Sequence, residues 1–245
     1  EALRDGRPEI VIAAMKASKK SDSEEVIRMI VAYLDSPNGI LRHEALYALN
    51  HRNYQFVKDA LCEFLRKEED TSLVATAVMT IGNYRSLEFV PLLRAFLEYN
   101  DDRVRSNAVE ALGYIDGPEI TELLKSLVND SNNRVRANAI KALWERGVRY
   151  GLSNIAEELR SPNTRKRASA AYILGEIKEE RSLDLLVGLL NDVSPTVRNR
   201  AVLSIEKVGS PRVIANLIEA FVREEEPAIR ETIVAVALKL SVDIA

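Results

Sequence analysis

The imidazole and thiol side chains able to do nucleophilic, proton-relay or metal chemistry are few and badly spaced for it. Two histidines occur in 245 residues, His43 and His51. His43 is followed directly by Glu44, a dyad that could serve a metal ion or a proton relay. His51 lies eight residues further on, and eight residues of helix span ~12 Å. A metal ion holds an imidazole nitrogen at ~2 Å, so the two rings cannot share an ion without breaking the helix. Nucleophilic triads fail for want of a positioned histidine. Neither GxxxxGK nor GxGxxG occurs, so no glycine-rich loop is available to cradle phosphate. Carboxylates are plentiful, but none is marked as a catalytic pair. The single cysteine, Cys62, excludes an internal disulfide and fits a reducing compartment. No cofactor or metal is expected.

Bulk properties narrow the remaining classes. The net charge is -3, with 29% of residues charged and both signs mixed. A nucleic-acid binder shows a basic excess or a basic stripe, so nucleic acid is a disfavoured partner. No apolar run approaches the ~18 residues of a membrane helix. The expected setting is therefore cytoplasmic, without membrane insertion. Aromatic residues make up 6% of the chain against 47% hydrophobic overall, a balance that favours close helix packing over a thick aromatic core. The chain opens on Glu1 rather than Met, which suggests a piece of a longer protein whose targeting segments lie elsewhere.

The elements that must position any site recur at a fixed interval. An aliphatic residue and Arg are followed at +3, +6 and +7 by small or aliphatic residues: Val104-Arg105 with Ala108, Ala111 and Leu112; Val135-Arg136 with Ala139, Ala142 and Leu143. Arg105, Arg136, Arg167 and Arg198 stand 31 apart, and Arg230 follows after 32. Counting back gives Val74, Arg42 and Val11. The frame predicts a cut repeat at 1–20, whose second helix covers about residues 8–19, and repeats at 21–52, 53–84, 85–115, 116–147, 148–178, 179–209 and 210–241. Each repeat reads as two helices. In the fifth of these units Ile120, Leu123, Leu124 and Leu127 keep helical spacing, and Asn129–Asn132 make a polar turn. Pro8, Pro195 and Pro227 fall where a second helix begins, and Pro118 and Pro211 where a first helix begins. Gly82, Gly113 and Gly175 share the position eight after the arginine, which predicts left-handed helix caps. Period-two strand patterns are absent, so the fold class is all-α.

This motif resembles the short HEAT-like repeat named after phycobilisome lyases, and the resemblance covers nearly the whole chain. It implies an α-α superhelix, a HEAT-like α-solenoid in which second helices line the concave face and each repeat packs only on its neighbours. It further implies a ladder of turn Asp and helix Arg, matched here by Asp130/Arg136 and Asp192/Arg198. Exposed pairs of that kind contribute ~0–1 kcal/mol each, so small-residue packing is expected to dominate stability. Leu41-Arg42-His43-Glu44-Ala45 also resembles the His-Glu dyads of deoxyhypusine hydroxylase, a HEAT-like di-iron enzyme. That site needs several dyads, and the equivalent positions here read Ser106-Asn107, Ala137-Asn138, Ala168-Ser169 and Asn199-Arg200. Bilin lyase activity has no residue signature to carry across.

Offsets +2, +5 and +9 share a second stripe of the second helix. If second helices line the inside, the stripe is the inner surface. Tyr47, Met79, Tyr114, Tyr172 and Leu203 interrupt its polar character and are candidate anchors for a partner. Asn107, Glu110, Asn138, Lys141, Arg200 and Lys207 complete the candidate surface. Its sign changes from Glu44 and Glu110 to Arg200, Lys207 and Lys239, a gradient able to orient a partner. Trp144 takes the glycine position and is followed by Arg146, Gly147, Arg149 and Tyr150, which predicts a longer helix end or ridge, with the indole filling a gap between repeats. Arg165-Lys166-Arg167 reads as a basic cluster on a solvated turn. The expected function is a non-catalytic scaffold for a protein or peptide. The alternative is an accessory subunit or chaperone of an enzyme such as a bilin lyase.

Overall fold

The computed structural model of the protein describes residues 1–52, 54–148 and 152–242, with the backbone alone at 152–154. It is all-α, with no strand among the described residues. Two compact units divide the chain, Glu1–Thr121 and Glu122–Ala245. In the first, α1 (Pro8–Ala17), α3 (Gly39–Leu49), α5 (Thr71–Gly82) and α7 (Asp102–Gly113) pack in succession as second helices. The first helices α2 (Glu24–Val31), α4 (Gln55–Lys67) and α6 (Val90–Ala95) pair with α3, α5 and α7. Helix α8 (Pro118–Leu127) carries the boundary between the units. In the second unit α9 (Asn133–Glu145), α11 (Thr164–Ile177), α13 (Pro195–Val208) and α15 (Pro227–Val242) pack in succession. There α10 (Leu152–Glu158), α12 (Leu183–Gly188) and α14 (Ile214–Arg223) pair with α11, α13 and α15. This is the helical-hairpin stack of an α-solenoid. No helix among the described residues is long and apolar enough to cross a membrane.

Local sequence explains where the helices begin. Ser23, Asn38, Asp70, Asp101, Asn132 and Asn163 stand as N-caps, and each side chain accepts a main-chain N–H of the first turn. Pro8, Pro195 and Pro227 occupy the first helical position of α1, α13 and α15, where a missing N–H costs nothing. Pro118 opens α8, and Pro211 opens a 3-10 turn that leads into α14. The +3 column, Ala45, Ala77, Ala108, Ala139, Ala170 and Ala201, is wholly buried. Alanine there lets neighbouring backbones approach closely, and larger residues at +7 such as Leu49, Ile81 and Leu112 fill the layer between first and second helices.

The shared glycines do not act as left-handed caps. Gly82 and Gly175 keep helical backbone, and Gly113 ends α7 in helical conformation. A Cβ on Gly82 would lie 2.5 Å from Ala111 Cβ, and one on Gly175 2.7 Å from Ser204 Cβ. These glycines exist to let the next second helix touch the backbone. In four repeats a left-handed residue falls three positions after this column, at Arg85, Gly147, Lys178 and Gly209, while His51 follows it by one and Gly117 by four. Helix α9 ends at Glu145 with Gly147 left-handed behind it, while Arg149 and Tyr150 of the expected ridge lie outside the described residues.

The arginine column also departs from expectation. Nη1 of Arg42, Arg105, Arg136, Arg167, Arg198 and Arg230 donates to the main-chain carbonyl six residues earlier, at 2.8–3.0 Å in all six cases. Thus Arg136 and Arg198 bind the backbone, not the carboxylates, of Asp130 and Asp192. The carboxylate partner comes instead from the following repeat: Glu68 for Arg42, Asp192 for Arg167 and Glu224 for Arg198, at 2.7–2.8 Å. The acid side chains are 9%, 8% and 3% exposed, so these pairs lie inside the stack and the surface-pair value does not describe them. Burying a turn carbonyl requires a donor, and the column supplies one in each of the six repeats that carry the arginine, but none at Val11 or Val74.

Helix C-termini are closed by side chains from the next repeat. Buried Arg52 donates to the carbonyls of Ser18, Lys19 and Ser21 behind α1. One repeat later Tyr84 does the same for α3, its hydroxyl donating to Leu49 O at 2.9 Å and Arg52 O at 3.1 Å. Burial pushes the Tyr84 hydroxyl well above the usual tyrosine pKa. Tyr84→Phe removes this one donor while keeping the ring, and is expected to lower stability by about 0.5–1.5 kcal/mol. Urea unfolding followed by helix ellipticity measures it. An unchanged midpoint would mean that water closes the helix end as well as tyrosine does.

Candidate functional site

In the first unit the +2, +5 and +9 stripe forms a cleft. Tyr47 from α3, Thr76 and Met79 from α5 and Asn107 from α7 line about 360 Å³ of space together with Asn50, Thr80 and Asn83. Tyr47 is 53% exposed, with the His43 ring 4.9 Å from its own and Lys19 5.9 Å above it. Asn83 Nδ2 donates to Asn50 Oδ1, and Asn107 Nδ2 donates to Ala75 O, both at 2.9 Å. Glu110 and Tyr114 sit apart from this cleft. The Tyr114 hydroxyl donates to Glu110 Oε1 at 2.9 Å, and Arg85 stands 5.8 Å from the Tyr114 ring.

In the second unit the stripe gathers around Tyr172. Arg200 lies 5.4 Å and Lys207 5.0 Å from its ring centre. Burial raises the Tyr172 pKa, and the neighbouring Glu176 carboxylate raises it further. Asn138, Lys141 and Leu203 are half-buried on the same stripe, and Lys207 is exposed. The expected charge gradient is mostly cancelled in place. Lys207 pairs with Glu176, Lys239 with Glu206 at 2.7 Å, and Glu44 with Lys16 at 3.6 Å.

Two other sequence features are structural here. The indole N–H of half-buried Trp144 donates to Glu179, which ties the end of α9 to the end of α11. Arg165 and Lys166 are exposed, but Arg167 turns inward to Asp192. The basic cluster is therefore two residues, not three. Sequence reasoning missed Asn50 and Thr80 as cleft residues. Asn50 stands in the column of close-packing glycines, and Thr80 in the buried +6 column; both are polar where the frame wants small apolar residues, and that mismatch was their signal.

Chemically, the surface offers hydrogen bonds and contact area. Among the described residues no group of three or more His, Cys, Asp or Glu could hold a metal ion. His43 lies beside the Tyr47 ring and not beside a second histidine. The Cys62 thiol is pushed up by burial, opposite to the shift that creates a reactive thiolate.

Comparisons with known proteins agree with this architecture. The family model described as HEAT repeats matches residues 58–147 and 152–238. No curated protein sequence matches the chain. In fold the chain is similar to the complex of CpcE and CpcF of phycocyanin lyase from Nostoc sp. PCC7120, with TM-score 0.50 and 18% identity over 87% of this chain and 94% of that one. It is similar to the Escherichia coli protein YibA, with TM-score 0.54 and 18% identity over 98% and 90%. It is also similar to importin beta, with TM-score 0.54 and 15% identity, covering 96% of this chain and 40% of importin beta.

Proposed function

The chain belongs to the HEAT-repeat family, and from that premise we propose that it is a non-catalytic scaffold whose second helices bind a protein or peptide. The observation that carries this reading is the composition of the stripe. Tyr47, Met79, Tyr114, Tyr172 and Leu203 stay at least partly exposed where the fold requires no side chain to be apolar. Large amphipathic side chains at solvated positions supply contact area at low entropic cost, which is how interface anchors work. The neutralised charges along it argue against a phosphate backbone as the partner.

Immobilised chain should retain protein from a nuclease-treated extract, and retention should survive moderate salt. Tyr114→Ala combined with Tyr172→Ala is expected to weaken the captured partner's affinity at least about tenfold, the effect of losing ~1.4 kcal/mol or more at two anchors. Helix content and melting should change little. Equal loss of folding and binding would assign the tyrosines to packing. Salt-sensitive retention of DNA or RNA would replace the scaffold reading with a nucleic-acid one. The second reading, an accessory subunit of an enzyme such as a bilin lyase, draws on the two-protein phycocyanin lyase complex among its fold neighbours. It requires the captured partner to be an enzyme subunit whose turnover changes when the chain is added.

A further inference from the structure

Within the scaffold reading, the first-unit cleft specifies which part of a partner it grips. Three amides edge it, Asn50 and Asn83 just past the ends of α3 and α5 and Asn107 within α7, and each is held by one internal bond: Asn83 to Asn50, and Asn107 to the Ala75 carbonyl. Each bond uses one end of an amide and fixes its rotamer. Asn107 keeps its carbonyl oxygen and its second N–H, and the Asn50–Asn83 pair keeps one whole NH2 group and one whole carbonyl whichever way the pair is turned. The two threonine hydroxyls have given their one proton inside the helix, Thr76 to Ser72 O and Thr80 to Thr76 O, both at 2.9 Å, so they can add acceptors to the cleft but no donor. None of the lining residues carries a formal charge.

A ligand for such a site must bring both donors and acceptors; no lining residue offers a counter-charge, and the one cation beside it, Lys19, stands 5.9 Å from the Tyr47 ring centre, so an uncharged group loses least on entry. The peptide group has that chemistry. A helical segment uses its own N–H and C=O groups internally, so only an extended segment has them to give. Met79 supplies an adaptable apolar floor and Tyr47 an aromatic wall for the side chains of such a segment. The volume of about 360 Å³ lies in the range of ligand sites. We propose that this cleft holds an extended, uncharged polypeptide segment by its main chain.

The test is a nuclear magnetic resonance titration of the full chain with N-acetyl-tetra-alanine N-methylamide. Saturable shifts are expected at the side-chain amides of Asn50, Asn83 and Asn107 and at the Met79 methyl. An ester analogue, with the central N–H replaced by oxygen, should bind about 2–10-fold more weakly, the effect of one lost hydrogen bond. Asn107→Leu should weaken binding similarly, and the ester comparison decides the matter if that variant folds poorly. Equal affinity for the ester, shifts confined to other surfaces, or no saturable response overturns the proposal. Capture of a protein partner with silent cleft amides removes the cleft assignment and leaves the scaffold reading. Peptide binding at these amides without any protein capture does the reverse.

Discussion

Gly82→Val is expected to destabilise the chain by about 3 kcal/mol, the upper end of the cost of overpacking a filled contact. Helix propensity alone predicts the opposite sign, because glycine is the worst ordinary residue in a helix by up to ~1 kcal/mol. Packing wins here because the new Cβ would meet Ala111 Cβ at 2.5 Å and Ala111 Cα at 2.7 Å. Backbone cannot rotate out of the way as a long side chain can, so α5 and α7 must separate, and their contact is the repeat interface itself. Two controls isolate the cause. Gly188→Ala meets no atom within 4 Å and should leave the urea midpoint unchanged or raised. Ala111→Gly placed in the Gly82→Val background should recover part of the loss, a coupling that independent sites do not show. A Gly82→Val chain as stable as the parent would mean that the second helices are not held in close register.

The same column shows what the amino-acid order reveals and what it conceals. The 31-residue period, the buried alanines and the prolines at helix starts are local or periodic properties, so the all-helical hairpin stack is legible before any coordinates. The role of Gly82 is not legible in that way. A glycine near a helix end suits a left-handed cap or a close approach equally well, and only the position of Ala111 on the next helix decides between them. The arginines illustrate a second limit. The family resemblance pairs Arg198 with Asp192 in its own repeat, but the side chain reaches the Asp192 carbonyl and then Glu224 of the following repeat. Partner choice depends on how far successive hairpins rise, which the period does not encode. For the binding surface, period places Tyr47, Met79 and Asn107 on one stripe. It does not bring in Asn50, whose polar end meets Asn83 only once α3 and α5 are stacked.

Arg198→Met should cost about 3–5 kcal/mol, the range for removing one partner of a buried pair. The Glu224 side chain is 3% exposed and receives Nε and Nη2 of Arg198 at 2.7 Å each. Methionine keeps the apolar stem but leaves that carboxylate buried against no cation, and it strips the donor from Asp192 O as well. The pH dependence separates this cause from simple loss of packing. The Arg198 guanidinium holds the Glu224 carboxyl below its ordinary 4.5, although burial alone would raise it. A carboxyl depressed in the folded state contributes stability that is present above its unfolded value and is lost as pH falls through the folded one. The parent should therefore lose this contribution only below about pH 4.5. In the variant the guanidinium's share of that depression is gone, and only the main-chain N–H groups of Glu225 and Glu226 still oppose the effect of burial, so the Glu224 carboxyl takes up its proton at higher pH than in the parent. The gap in unfolding free energy between parent and variant should be widest near neutral pH and narrow as the solution is acidified towards pH 4. A gap that stays constant across that window would show that Arg198 acts through its methylene stem and its carbonyl contact, with the carboxylate of Glu224 contributing nothing.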